Sequence, residues 1–96
     1  MISTKGRYAL RVLIDLAEQD STTYVPLKEI AKRQGISEKY LQQIVKILVG
    51  KGLLTGISGK GGGYRLTASP EEYNVGEILE LMEGSLTPVS YTHLRL

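Results

Sequence analysis

Gly35–Lys51 reads G-I-S-E-K-Y-L-Q-Q-I-V-K-I-L-V-G-K. Ser37 suits a helix N-cap, because its hydroxyl can accept a backbone N–H left unpaired in the first turn. Behind it Leu41, Ile44, Val45 and Leu48 recur at i, i+3, i+4 and i+7, which is one apolar face of a helix. Lys39, Gln42, Gln43 and Lys46 repeat that spacing on the opposite side. A helix here has an apolar back and a front of cations and carboxamides only. Carboxamides match adenine edges in a DNA major groove, and lysines neutralise phosphates. The same stripe also fits an ordinary solvated surface, and the neighbouring segments decide between the two.

Immediately upstream, Pro26 suits the first position of a shorter helix, where its missing N–H costs nothing. Leu27, Ile30 and Ala31 form the inward side of that helix, and Gly35 ends it. Two helices separated only by Gly35-Ile36-Ser37 make a tight corner with glycine in the turn, a helix-turn-helix signature. Ala31, four residues before the glycine, lets the helices approach closely. Further upstream, residues 3–20 read as another helix, with Ala9, Val12, Leu13 and Leu16 as its buried stripe and Ala17 beside it. Arg7, Arg11 and Glu18 lie away from the stripe. Its first turn, S-T-K-G-R-Y, could seat a phosphate on unpaired N–H groups beside Lys5 and Arg7. Alternatively those cations are simply solvated and Tyr8 caps the core.

Downstream, Gly50 and Gly52 bracket the end of the central helix, with Gly52 the better C′ residue. L-L-T-G-I and Y-R-L-T then flank S-G-K-G-G-G, which reads as a β-hairpin. A hairpin directly after a helix-turn-helix is a wing. Its tip carries Lys60 and lacks bulky side chains, so backbone can come close to a sugar-phosphate chain; Tyr64 and Arg65 stand at the far edge. The glycine run is not a Walker A loop, because the G-x-x-x-x-G-K-[ST] spacing is absent and no helix follows. Nor is it a dinucleotide fingerprint, since the βαβ unit is missing. Ser69-Pro70-Glu71-Glu72 resembles a brief helical turn. Asn74 then starts a last short helix with Glu77 placed as in a capping box. Val75, Ile78, Leu79 and Met82 are its apolar stripe, Glu77, Glu80 and Glu83 its acidic side, and Gly84 and Pro88 mark its stop.

Ninety-six residues suit one domain with a modest core. The absence of Cys excludes a disulfide framework, a thiolate metal site and a Cys nucleophile. No apolar run approaches the roughly 18 residues of a membrane span, and no signal-peptide pattern opens the chain. An intracellular, cytoplasmic protein is expected. The net charge of +2 is unevenly divided. Residues 1–70 hold eleven Lys/Arg against five Asp/Glu, whereas residues 71–96 hold only Arg95 against five Glu. The basic part contains the corner and the hairpin, as expected of a nucleic-acid face.

The motifs I-S-T-K-G-R-Y-A-L, P-L-K-E-I-A-K-R-Q-G-I-S-E-K-Y-L-Q-Q, G-K-G-G-G-Y-R-L and V-G-E-I-L-E-L-M-E-G, in that order from about Ile2 to Val89, resemble the Rrf2 family of bacterial winged helix-turn-helix regulators. Within it the chain is most similar to the branches controlling cysteine metabolism and iron–sulfur clusters. The resemblance implies a mainly α fold: a three-helix core, a two-stranded β-wing and a further short helix. It also implies a homodimer on a partly palindromic operator of double-stranded DNA, acting as a repressor. The helix beginning near Ser37 would enter the major groove and the wing tip the adjacent minor groove. Carried over by position, the DNA-facing residues are Ser37, Lys39, Tyr40, Gln42, Gln43 and Lys46 in the helix, with Gln42, Gln43 and Tyr40 expected to select bases. Lys60, Gly61, Gly62 and Gly63 follow in the wing, with Thr4, Lys5 and Arg7 as phosphate contacts.

Three departures matter. Gln42 stands where relatives often have Glu, which would move the preferred base from cytosine towards adenine, each good pair being worth about 1–3 kcal/mol. Ser58 stands where an Arg often precedes the wing glycines, so minor-groove shape reading should be weaker, with Lys60 a partial substitute. The ending S-Y-T-H-L-R-L matches nothing expected of the family, whose members continue into a dimerisation helix, sometimes after three cluster-binding cysteines. Residues 1–89 are therefore expected to be the DNA-binding domain, and residues 90–96 a truncation junction or foreign tail. Such a piece should bind DNA only weakly. No cofactor is expected in this chain, because His93 alone cannot hold a cluster; a longer form could carry one. Two other functions compete: a winged-helix module whose Gln/Lys face docks on a protein, and a phosphate-ligand enzyme using the glycine loop. The latter lacks any accompanying base, nucleophile or metal set, so no enzyme is expected.

Overall fold

The computed structural model describes residues 3–20 and 22–83. Four helices and one hairpin follow in order: α1 (Thr4–Ala17), α2 (Leu27–Gln34), α3 (Glu38–Gly50), β1 (Leu54–Ile57), β2 (Gly63–Leu66) and α4 (Val75–Glu83), with a 3-10 turn over Pro70–Glu72 before the last. This is the mainly α winged-helix arrangement expected from the sequence. Gly84, Pro88, His93 and the whole of residues 90–96 lie outside the described residues.

Each helix buries most of the stripe its periodicity announces, with Leu27 of α2 and Val75 of α4 only half-buried. Ala9, Val12, Leu13 and Leu16 of α1, Ile30 and Ala31 of α2, and Leu41, Ile44, Val45 and Leu48 of α3 meet in one core with Leu54 of β1 and Ile78 and Met82 of α4. The corner between α2 and α3 forms as anticipated. Gly35 closes α2 at φ 65°, the left-handed geometry that costs glycine nothing. Two residues later the Ser37 hydroxyl accepts from the Tyr40 amide at 3.1 Å and starts α3.

The strands sit within one residue of the expected runs, and two helix ends differ from expectation, each for a local reason. Pro26 is the cap of α2 rather than its first helical residue, with extended ψ of 143°. Val25 just before it is pinned by paired backbone hydrogen bonds to Tyr64, both 2.8 Å, so the extended run carries through the proline. The first helix ends at Ala17, three residues early, where Asp20 takes the Thr22 amide and hydroxyl and forms a turn.

The strands pair antiparallel from Leu54 opposite Leu66 to Ile57 opposite Gly63. The Tyr73 hydroxyl ties the base of this wing to the core: it donates to the Leu53 carbonyl at 2.7 Å and accepts from the amides of Thr67 and Ala68 at 2.9 and 3.3 Å. Because Tyr73 is itself buried, the wing is held at its root and leaves the body in a fixed direction.

Candidate nucleic-acid interface

The front of α3 is open. Ser37, Lys39, Gln42, Gln43 and Lys46 are all exposed, while Leu41, Ile44, Val45 and Leu48 behind them are buried. The quartet at 39, 42, 43 and 46 therefore projects from a helix whose back is fixed in the core. Tyr40 is different. Its ring is half-buried and meets Tyr8 of α1 edge-on, with centroids 5.8 Å apart and planes at 86°. Arg11 lies 5.3 Å above the same Tyr8 ring. One edge of Tyr40 is thus committed to seating α3 on α1, and only the remainder can face a ligand.

The wing glycines divide as well. Lys60 and Gly61 are exposed at the tip, and Gly62 is partly covered. Gly63 is buried in β2, and an added Cβ would stand 2.3 Å from the Val25 carbonyl carbon and oxygen and 2.7 Å from Pro26 N. Close backbone packing inside the molecule accounts for glycine there. Gly62 is similarly constrained, its would-be Cβ falling 2.4 Å from the Ile57 carbonyl oxygen.

At the start of α1, Thr4 and Arg7 are exposed and Lys5 is half-buried. The N-terminal donors beside them are partly taken: the Ser3 hydroxyl accepts from Gly6 N at 3.0 Å, and Glu83 of α4 accepts from Ser3 N at 2.8 Å. A phosphate approaching this turn meets a carboxylate already on one donor, so the exposed Thr4 and Arg7 are freer contacts than Lys5.

Sequence reasoning missed two features. Lys28 and Lys32, exposed on α2, flank a hollow beside Gly35 and Glu38. A helix preceding the reading helix crosses the DNA backbone in helix-turn-helix proteins, so their one-turn spacing was the available signal. The second is the buried carboxylate of Asp15, which clamps α1 to α2. Arg33 donates to it at 2.7 Å from Nη2 and 3.0 Å from Nε, and Gln34 donates at 2.8 Å. Burial pushes the Asp15 carboxyl up, but these hydrogen bonds and the guanidinium charge outweigh it and hold the group below the ordinary carboxylate range.

A family model described as "Rrf2: Iron-dependent Transcriptional regulator" matches residues 2–94. The chain is 42% identical over 88 residues to the HTH-type transcriptional regulator CymR of Bacillus subtilis, covering 92% of this chain and 64% of that protein. It is 40% identical over 85 residues to the regulator IscR of Aliivibrio salmonicida, covering 88% and 51% respectively. The chain thus spans between about half and two-thirds of the length of these relatives. Among solved structures, that of B. subtilis CymR, described as the global cysteine regulator, superposes with a TM-score of 0.84 at 41% identity, covering 94% of this chain and 70% of that one. IscR of T. potens gives 0.80 at 42% identity, covering 93% and 65%.

The family model's description names iron. The chain has no cysteine, and among the described residues no three His, Cys, Asp or Glu converge. These residues do not fit an iron ion or cluster. Among them, too, no helix is long and apolar enough to cross a membrane. The sequence match, the superposition and the shared helix-corner-wing order agree: the chain belongs to the Rrf2 family of transcriptional regulators.

Proposed function

We propose that this chain reads double-stranded DNA for a cytoplasmic transcriptional repressor, with α3 in the major groove and the tip of the wing in the adjacent minor groove. One observation carries the reading: Lys39, Gln42, Gln43 and Lys46 stand exposed and adjacent on a helix immobilised by its buried back. Gln42 and Gln43 select bases, preferring adenine edges, while Lys39 and Lys46 neutralise phosphates. Ser37 and the free part of Tyr40 contact the strand at the start of α3. Lys60, Gly61 and Gly62 approach the minor groove; Gly63 contributes by letting the wing dock against Val25. Thr4, Lys5 and Arg7 supply flanking phosphate contacts, Thr4 and Arg7 foremost. A homodimer on a partly palindromic operator is the assembly proposed for the whole protein, in keeping with the two-fold symmetry of such sites.

The test is selection of bound duplexes from a random library, followed by affinity measurements on two variants. Lys46→Ala should weaken binding to every sequence alike, whereas Gln42→Ala should chiefly flatten preference at one base pair, costing about 1–3 kcal/mol there. Equal losses on all sequences from both variants would remove the base-reading role. No duplex affinity even at low salt would favour the protein-docking alternative.

A further inference from the structure

Three large hydrophobic side chains among the described residues stand in solvent, and two of them share one cleft. Val49, 38% exposed on the last turn of α3, and Ile57, 50% exposed at the end of β1, face the gap between helix and wing. Scattered exposed apolar residues are ordinary; these two line one cleft together with the polar groups Gln42 and Lys46. The floor of the gap is also apolar. Val45 is part of it, and so is the ring of Tyr64. That ring lies where a side chain on Gly56 would be, since a Cβ there would come 2.9 Å from two ring carbons.

The rim has a definite chemistry. Gln42 and Lys46 border the cleft on the helix side and Ser58 on the wing side, and no carboxylate lines it. A cation over an apolar floor suits a ligand that alternates negative charge with apolar faces. A nucleic-acid strand is such a ligand, because each phosphate is followed by a sugar whose carbon face is apolar. When a helix fills one groove and the adjoining wing enters the next, the strand dividing the grooves must pass between them.

The geometry points to this cleft as the seat of that dividing strand, with the deoxyribose faces packed on Val49 and Ile57. The inference rests on the DNA-reading function proposed above and deepens it: Val49 and Ile57 discriminate deoxyribose from ribose. A 2′-hydroxyl pressed onto these two aliphatic side chains would lose water without gaining a partner from either, which is costly.

The test uses the whole 96-residue chain and the duplex recovered by selection. Ile57→Ser and Val49→Ser are both made, because exposed positions tolerate polar replacement without unfolding, and thermal melting checks this. Ile57→Ser should bind the DNA duplex roughly 5-fold more weakly with an unchanged salt slope, since apolar area and not a phosphate contact is lost. Single ribonucleotides are then placed in turn along the strand between the grooves. Wild type should lose roughly 5-fold or more at one or two positions, and Ile57→Ser should show little of that penalty. Wild-type affinity in both serine variants, or an undiminished ribonucleotide penalty in them, overturns the assignment while leaving DNA reading intact. Loss of self-association in the serine variants with DNA affinity unchanged overturns it in favour of a second copy of the chain. A wild-type chain that binds no duplex overturns the proposed function itself, and this inference with it.

Discussion

Gly63 shows how one residue sets the relation between wing and core. Its backbone packs so closely on Val25 and Pro26 that a single methyl group would overlap the Val25 carbonyl at 2.3 Å. The atoms met are backbone on both sides, held by paired 2.8 Å hydrogen bonds between Val25 and Tyr64, so neither can step aside cheaply. Gly63→Ala should therefore destabilise the chain by about 2 kcal/mol or more, read as a fall in the urea midpoint. Gly50 is the matched control: nothing lies within 4 Å of its would-be Cβ. Gly50→Ala should leave stability unchanged or raise it by up to about 1 kcal/mol, as a helix favours alanine. Equal effects at the two sites would refute the close-approach argument. The glycine run was visible in the sequence, and its surplus pointed to a special role. Which glycines serve the fold and which face outward was not, because the partner of Gly63 is a loop 38 residues earlier in the chain.

At the scale of elements, periodicity revealed what each helix buries but not what clamps one helix to another. The stripes of α1, α3 and α4 were readable because burial of an amphipathic helix follows its own spacing. Asp15 escaped notice because its partners, Arg33 and Gln34, lie 18 and 19 residues away on α2. Glu29 completes the set by accepting from Arg33 at 2.8 Å one turn along the same helix. With Asp15 almost fully buried and Arg33 partly exposed, the clamp fixes α2, and hence the corner that aims α3. Its pH dependence follows from the depressed Asp15 pKa. A carboxyl held below its unfolded value, about 3.9, contributes stability that is complete above that value and is lost as pH falls through the lower native one. Asp15→Asn should cost about 1–3 kcal/mol at neutral pH. Below about pH 4 the wild type should lose stability more steeply than the variant, so the two curves converge in acid. Urea midpoints across this pH range decide the matter, and a constant gap between the curves would show that the clamp does not depend on the Asp15 charge.

For the whole molecule, the net charge of +2 is a poor guide to how strongly it should feel a polyanion. Counterion release depends on how many phosphates the bound face neutralises, each contributing about −0.9 to the slope of log K against log salt. On α1, α3 and the wing, Arg7, Lys39, Lys46 and Lys60 are exposed and Lys5 is half-exposed, so four or five neutralised phosphates there give a slope of about −4 for one copy on one half-site, steeper still where Lys28 and Lys32 of α2 also reach phosphates. A binder governed by net charge would instead show about half that slope. The two accounts separate further on substitution. Lys46→Ala should flatten the slope by about 0.9, because one phosphate keeps its counterion. Glu71→Gln also changes the net charge by one unit, in the acidic part of the chain and at an exposed position. It should raise affinity slightly at low salt, where the screening length is long, and leave the slope untouched because it neutralises no phosphate. A slope that steepens in Glu71→Gln as much as it flattens in Lys46→Ala would mean that diffuse charge, not a built face on α3 and the wing, holds the DNA.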